Sequence, residues 1–196
     1  MAEDAARRSL AGRLPADAAD RGRRLNRKQF IVSAAGCLVA ILLLPGFGHA
    51  QTDKVRTMLA VLIERTGKLG VPHIEGRYPV GGKHVPGLYF GHARMNNVFD
   101  VVDEVAKEQA GAVALFVKAG DEYVRVATNM RKTDGSRAVG TVLDPNSPAM
   151  TMIRKGEAYY GEAMILGKPY VVGYEPIRDY TPQRNVIGIY FVGAVK

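Results

Sequence analysis

The sequence is poor in the residues that support disulfide, redox and metal chemistry. Its 196 residues include one cysteine and no tryptophan. The cysteine, Cys37, lies in an apolar stretch near the N-terminus, so residues 51–196 contain none. A disulfide framework or a cysteine-ligated metal is therefore excluded from that part. Avoidance of cysteine is compatible with an oxidising compartment.

Motifs for catalysis are lacking as well. Neither the HExxH nor the His-x-His spacing occurs, and there is no G-x-S-x-G motif for a nucleophilic serine. The segment Gly81-Gly82-Lys83 lacks the rest of a phosphate-binding loop. We therefore predict that the chain is not an enzyme and that it holds no cofactor and no metal.

Positive charge is present but not concentrated. The net charge is +8, of which residues 1–28 contribute +4 and residues 51–196 the other +4. Nucleic-acid surfaces show a basic stripe, with interleaved aromatic residues where single strands bind. No such stripe is present, so we predict no nucleic-acid partner. The mild excess of basic residues favours small anions as ligands.

The first fifty residues resemble an export signal. An uncharged apolar run, Phe30 to Phe47, follows a cluster of basic residues and precedes small residues that end at Ala50. This order predicts a signal peptide over residues 1–50, cleaved near Ala50. Asn26–Ile31 is similar to a twin-arginine signal with lysine as the second basic residue, and the general secretory route remains an equal alternative.

An uncleaved membrane anchor is the alternative to cleavage. The 18 residues 30–47 are near the length that spans the hydrocarbon core of a bilayer. Because the positive flank is N-terminal, both interpretations put residues 51–196 outside the cytoplasm. The domain would be periplasmic or secreted after cleavage, or held at the inner membrane if residues 30–47 are retained.

The remaining sequence predicts a single α+β domain over residues 51–196. Helical spacing of apolar residues predicts helices over 54–66 and 96–110, with a Gly- and Pro-rich loop and one or two short strands over 71–95. Alternation and turn residues predict strands over 112–118, 123–130, 138–143, 158–166, 170–178 and 186–195, with a short helix over 147–155. This order is typical of helices packed on one antiparallel sheet of about five strands.

Arginine and tyrosine side chains on these strands form the candidate site. Strand periodicity predicts that Arg125, Ala127 and Asn129 share one face. An arginine between apolar residues is costly unless it is paired. Glu175 or Asp121 could supply an internal partner, and a bound carboxylate could do so equally well through bidentate hydrogen bonds.

Several blocks resemble a known family. Val85-Pro86-Gly87-Leu88-Tyr89-Phe90-Gly91 is similar to the first signature of extracytoplasmic Cache domains. The block Tyr123–Met130, followed by Asp134-Gly135-Ser136-Arg137, is more specific. Over about residues 55–194 the chain resembles the single Cache type 3 group, the Cache 3/Cache 2 fusion, of bacterial chemoreceptors.

The resemblance implies a PAS-like fold, in which a long N-terminal helix lies over a central antiparallel sheet. It also implies a ligand cavity on one face of that sheet, for small metabolites such as organic acids or amino acids. The motif positions expected to line the cavity are Arg125, Arg137, Tyr160, Tyr170 and Tyr174.

One departure from the family pattern changes the expected role. The receptors continue into a transmembrane helix and cytoplasmic signalling modules, whereas this sequence stops at Lys196. We therefore expect a stand-alone sensor or binding module that hands information to a membrane receptor or transporter. The alternatives are an interaction or structural module with a vestigial pocket and, less favoured, an enzyme.

Overall fold

The computed structural model describes residues 47–196, with side-chain detail from Ala50 onward. The predicted signal peptide, the apolar segment and Cys37 therefore lie almost wholly outside the described residues. Within the described part, none of the three helices combines the length and the apolar character needed to cross a membrane.

Helix α1, Phe47–Leu69, is longer at both ends than the predicted 54–66. Its buried stripe consists of Val55, Met58, Leu59 and Leu62, which recur at helical spacing and pack into the main core. The helix already includes the bond between Ala50 and Gln51, at which cleavage is predicted.

A three-stranded antiparallel sheet follows, and the prediction of mostly loop over 71–95 was wrong. Strands β1, Pro72–Val80, β2, Lys83–Phe90, and β3, Ala93–Arg94, pair in that order. The glycines that suggested a loop occupy special positions: Gly76 lies at an irregularity in β1, and Gly81 and Gly82 turn the chain with positive φ.

The second half of the chain forms the central sheet. Helix α2, Asp100–Gln109, precedes strands β4, Ala112–Ala119, and β5, Glu122–Thr128. After helix α3, Pro148–Arg154, come β6, Tyr159–Ile165, β7, Lys168–Arg178, and β8, Val186–Val195. All pairings are antiparallel in the order β5-β4-β8-β7-β6. This arrangement confirms the predicted α+β, PAS-like class.

The strand predicted over 138–143 does not form. Within this stretch Val142 makes a single bridge to Val124, and Arg137, just before it, makes one to Arg131. Gly140 has a φ of 78°, and its Cα lies against Gly81, where an added Cβ would clash. Backbone hydrogen bonds still join the segment to β5, from the Gly140 N–H to the Arg125 carbonyl and from the Arg125 N–H to the Thr141 carbonyl, but the positive φ of Gly140 interrupts a regular ladder.

A bulge in β5 changes which residues share a face. Leu115 pairs with Ala127 while Phe116 pairs with Arg125, so Val126 is an extra residue in β5. Ala127 consequently packs in the same core as Val126. The prediction that Ala127 shares a face with Arg125 was therefore wrong, because strict alternation stops at a bulge.

Both faces of the central sheet are covered. One face packs against α1, α2 and the three-stranded sheet around side chains such as Leu59, Phe90 and Val192. The other face carries Phe116 and Phe191, whose ring centroids are 6.4 Å apart. This second face is covered by α3 and by parts of the segment between β5 and α3.

We expect the contact of α1 with the sheet to dominate stability. Replacement of Leu59, 1% exposed, by alanine (Leu59→Ala) is expected to lower the free energy of unfolding by about 2–5 kcal/mol, because it leaves a cavity. Glu64→Ala, at an exposed position of the same helix, is the matched control and is expected to change it by less than about 0.5 kcal/mol. Urea unfolding measures both, and equal effects would contradict this packing.

Candidate functional site

A cavity of about 520 Å³ lies on the face of the central sheet that α3 covers. Arg125 and Tyr174 contribute its buried polar side chains, from β5 and β7. Thr141 and Ser147 come from the segment between β5 and α3, and Glu162 comes from β6. Strands of the central sheet therefore form one wall of the cavity, and the irregular segment between β5 and α3 forms another.

Arg125 is the buried charged residue of this cavity. Only 6% of the residue is exposed, and its Nη1 donates to the hydroxyl of Thr141 at 2.9 Å. Its guanidinium carbon lies 4.9 Å from the centroid of the Phe116 ring, which is a favourable cation–π position. Its Nε is buried and has no hydrogen-bond partner in the structure.

Arg125 has no carboxylate partner within residues 50–196. Each ion pair of that part involves other basic residues, and neither Glu175 nor Asp121 reaches this guanidinium. Of the two interpretations left open by the sequence, the internal salt bridge to Glu175 or Asp121 is thus not formed.

Burial changes the proton affinities of both groups. Loss of hydration lowers the pKa of Arg125 to about 10, so the guanidinium is still charged at neutral pH. Burial also raises the pKa of Tyr174 to about 12, so its hydroxyl keeps its proton. The cavity therefore offers a fixed positive charge beside a neutral hydroxyl donor. Tyr174 makes no hydrogen bond with any described residue, and its ring lies 4.9 Å from that of Phe191.

Sequence analysis missed the residues that complete the cavity. Thr141 lies where a regular strand was predicted and does not form. The alternation of side chains along a strand therefore could not predict which face its side chain occupies. Ser147 accepts a hydrogen bond from the backbone N–H of Met150 at 3.2 Å and caps α3. Asp144 and Glu162 add carboxylates at the exposed rim. The Ser147-Pro148 pair at the helix start was the available signal for the cap.

Tyr170 and Tyr160 do not line this cavity. Tyr170 is buried on the same face but lines a neighbouring opening of about 420 Å³, together with Met130 and Arg131. Tyr160 packs against the core on the opposite face, and its ring centroid is 4.2 Å from the guanidinium carbon of Arg56. Burial is the main reason that the pKa of Tyr160 is raised.

Arg137 is also placed elsewhere, in an ion pair with α2. Its Nη1 and Nη2 donate to the two carboxylate oxygens of Asp103 at 2.7 and 2.6 Å. Nη1 also donates to the Thr128 carbonyl, and the guanidinium lies over the Phe99 ring. The hydrogen bonds to Asp103 raise the pKa of Arg137. This side chain fastens the segment after β5 to α2.

Metal-ligating side chains do not gather in this region. Among the described residues, no three histidine, cysteine, aspartate or glutamate side chains come together as a metal site. His73, for example, stacks on the ring of Tyr89 with centroids 5.3 Å apart.

The unpaired charge of Arg125 should reduce stability. A pKa lowered from 12.5 to about 10 corresponds to a cost of about 3 kcal/mol at neutral pH. Arg125→Met removes the charge and keeps most of the volume, and Thr141 retains its hydrogen bond to the Ala138 carbonyl. We expect the free energy of unfolding to rise by about 1–3 kcal/mol.

The control is the exposed Arg154, for which Arg154→Met is expected to change the unfolding free energy little. Thermal and urea unfolding compare the two variants. A loss of stability in Arg125→Met would show that the guanidinium is needed by the fold, contrary to this prediction.

Comparison with known families agrees with the fold. Residues 50–196 match the model of the Cache 3/Cache 2 fusion domain, while no curated protein matches the sequence. Cache domains are generally extracytoplasmic sensor modules that bind small molecules, rather than enzymes. The match extends over the whole described domain from Ala50 onward, and the chain therefore belongs to the Cache 3/Cache 2 fusion family.

Proposed function

We propose that the chain is an exported sensor or ligand-binding module that binds a small anionic metabolite, such as an organic acid, beside Arg125. One observation carries this proposal: a buried guanidinium with an unpartnered Nε that forms no ion pair with any carboxylate of the described domain. Such a buried charge is costly, and a bound anion would compensate it. Arginine suits this purpose, because its planar fork binds a carboxylate through two hydrogen bonds.

The surroundings of Arg125 support the same ligand class. Tyr174 supplies a protonated hydroxyl, which can orient a second oxygen of the ligand. The aromatic rings of Phe116 and Phe191 lie beneath the guanidinium and hold it in place. Leu143, Pro148 and Ile165 line the cavity and can pack against a short carbon chain. A volume of about 520 Å³ is in the usual range for small-molecule sites.

Binding can be tested by the thermal stability of the domain with added metabolites. A panel of mono- and dicarboxylic acids, amino acids and uncharged analogues is added to the purified chain. A ligand at about one hundred times its Kd stabilises the fold by about 2.7 kcal/mol, which raises the melting temperature. We expect carboxylates to raise it and their amides to have no effect.

Variants then locate the site. Arg125→Gln is expected to weaken binding of a stabilising acid at least about tenfold, because a charge-assisted hydrogen bond contributes about 1.5–3 kcal/mol. Tyr174→Phe is expected to weaken it less, since its hydroxyl is neutral. Arg154→Gln and Tyr160→Phe are matched controls, because Arg154 is exposed and neither side chain lines the cavity.

Two outcomes would contradict the proposal. If no acid raises the melting temperature, the interaction module with a vestigial pocket becomes the better interpretation. If Arg125→Gln binds normally while Arg137→Gln or a Tyr170→Phe variant does not, the binding site is a different one. Conversion of a stabilising compound into product would instead revive the enzyme interpretation.

Information from the bound ligand would pass to a membrane partner, a receptor or a transporter. The Cache assignment supports a location outside the cytoplasm. The basic and apolar order of residues 1–50 supports export by the same chain.

Export can be tested by expressing the chain in a Gram-negative host and identifying the first residue of the processed protein. We expect the chain in the periplasmic fraction to begin at Gln51, because Ala50 ends the small residues that a signal peptidase requires. Ala50→Arg is expected to block the cleavage, whereas Gln51→Asn is expected to leave it intact. Mass spectrometry of the intact protein distinguishes the products. An unprocessed wild-type chain in the membrane fraction would contradict cleavage and favour an anchor at residues 30–47.

A further inference from the structure

The groups that can bind a charged ligand atom lie in the buried part of the cavity. Arg125 and Tyr174 are 6% and 4% exposed, and they come from neighbouring regions of the sheet. The hydroxyl of Ser147 is already used by the backbone, since it donates to the Asp144 carbonyl at 2.7 Å and accepts from the Met150 N–H. The charged end of a ligand therefore finds its partner at Arg125.

Apolar side chains make up most of the remaining lining of this cavity. Leu143 and Ile165 are buried in the core on the same face, and Pro148 lies at the start of α3. The apolar lining continues to the surface with Met164 and Leu166, which are 69% and 46% exposed. The cavity thus extends from a buried cation to exposed apolar side chains, which is the pattern that an amphipathic ligand requires.

The backbone at Leu166 is unfavourable for a leucine. Leu166 and Gly167 form the turn between β6 and β7, with φ of 49° and 78°. Two-residue turns with positive φ at both positions favour Asn-Gly or Asp-Gly. Strained residues of this kind gather at ligand-binding sites, and contact with an apolar part of the ligand would explain a leucine at this position.

The charges that line the cavity limit the ligand to one carboxylate. Arg125 is the basic residue among the lining residues, whereas Asp144 lines the cavity and forms no ion pair with any described residue. Glu162 is the second acidic lining residue, and Lys196 already balances its charge at 2.5 Å. A second carboxylate of the ligand would therefore meet Asp144 without a basic partner, which opposes its binding.

We propose that the ligand is an aliphatic monocarboxylic acid, with its carboxylate on Arg125 and its alkyl chain along the apolar lining toward Leu166. This ligand class rests on the proposed function, the binding of an anion beside Arg125, and narrows it. Short hydroxy acids and di- or tricarboxylic acids would leave the apolar lining unused or place a second negative charge beside Asp144.

A homologous series of acids tests the ligand class. Binding of straight-chain acids from acetate to decanoate, each below its micelle-forming concentration, is measured by isothermal titration calorimetry with the purified chain at neutral pH. Each methylene that enters the cavity is expected to tighten binding by up to about fourfold, until the alkyl chain reaches the mouth. The dicarboxylate of equal length is expected to bind at least about tenfold more weakly than the monocarboxylate.

The contribution of the mouth is tested with Leu166→Asn. The variant is expected to keep the affinity for acetate and to lose about threefold or more for the longest acids, because it removes apolar contact at the end of the alkyl chain. The fold is kept, since asparagine suits the turn. Ile74→Thr is the matched control: Ile74 is also 46% exposed, but it lies on β1 and does not line the cavity, so the whole series should bind unchanged.

The charge limit is tested with Asp144→Asn. The asparagine side-chain oxygen can still accept the hydrogen bond from the Asn146 N–H, so the start of α3 keeps its structure. We expect this variant to bring the affinity for the dicarboxylate close to that for the monocarboxylate and to leave the monocarboxylates unchanged.

The outcomes distinguish this ligand class from the anion site itself. Acids that bind in an Arg125-dependent way without a gain from chain length, or dicarboxylates that bind more tightly than monocarboxylates of equal length, would overturn the ligand class and leave the anion site in place. Long acids that bind equally well to Arg125→Gln would show adsorption of alkyl chains elsewhere and would also overturn it. An unchanged series in Leu166→Asn would remove Leu166 from the binding site. If no mono- or dicarboxylate binds, the ligand class and the anion site both fail.

Discussion

The central sheet has apolar side chains on both faces, and the rest of the molecule follows from the need to cover them. One face is covered by regular elements, with the long helix α1 and Phe90 of the small sheet packed close to it. The other face is covered by the single short helix α3 and an irregular segment. A cover of this kind leaves space over the sheet, and the cavity beside Arg125 is that space.

The bulge in β5 ties this architecture to the chemistry of the site. Val126 and Ala127 both pack toward the helices, while Arg125 lies over the aromatic rings of the opposite face. A charged side chain thereby reaches a face that is otherwise apolar. Its burial weakens the fold, and a bound anion would compensate the charge. If an anion binds there as we propose, stability and ligand binding are in opposition at Arg125.

A second arginine has the opposite role. Arg137 is paired with the Asp103 carboxylate and also donates to the Thr128 carbonyl, so its charge is balanced within the fold. It fastens the segment after β5, which later supplies Thr141 to the cavity, onto helix α2. The cover over one face of the sheet is thus connected to an element that packs on the other face.

The sequence by itself determined the α+β class, the order of the strands after residue 111 and the Cache family, because periodicity, turn residues and motif blocks are local features. It also pointed to Arg125 and Tyr174, which share the cavity. Tertiary structure decided which side chains meet. The bulge reassigned Ala127, the Gly140 bend removed a strand, and the partner of Arg137 came from a helix more than thirty residues earlier. Such outcomes depend on register and long-range packing, which no local pattern specifies.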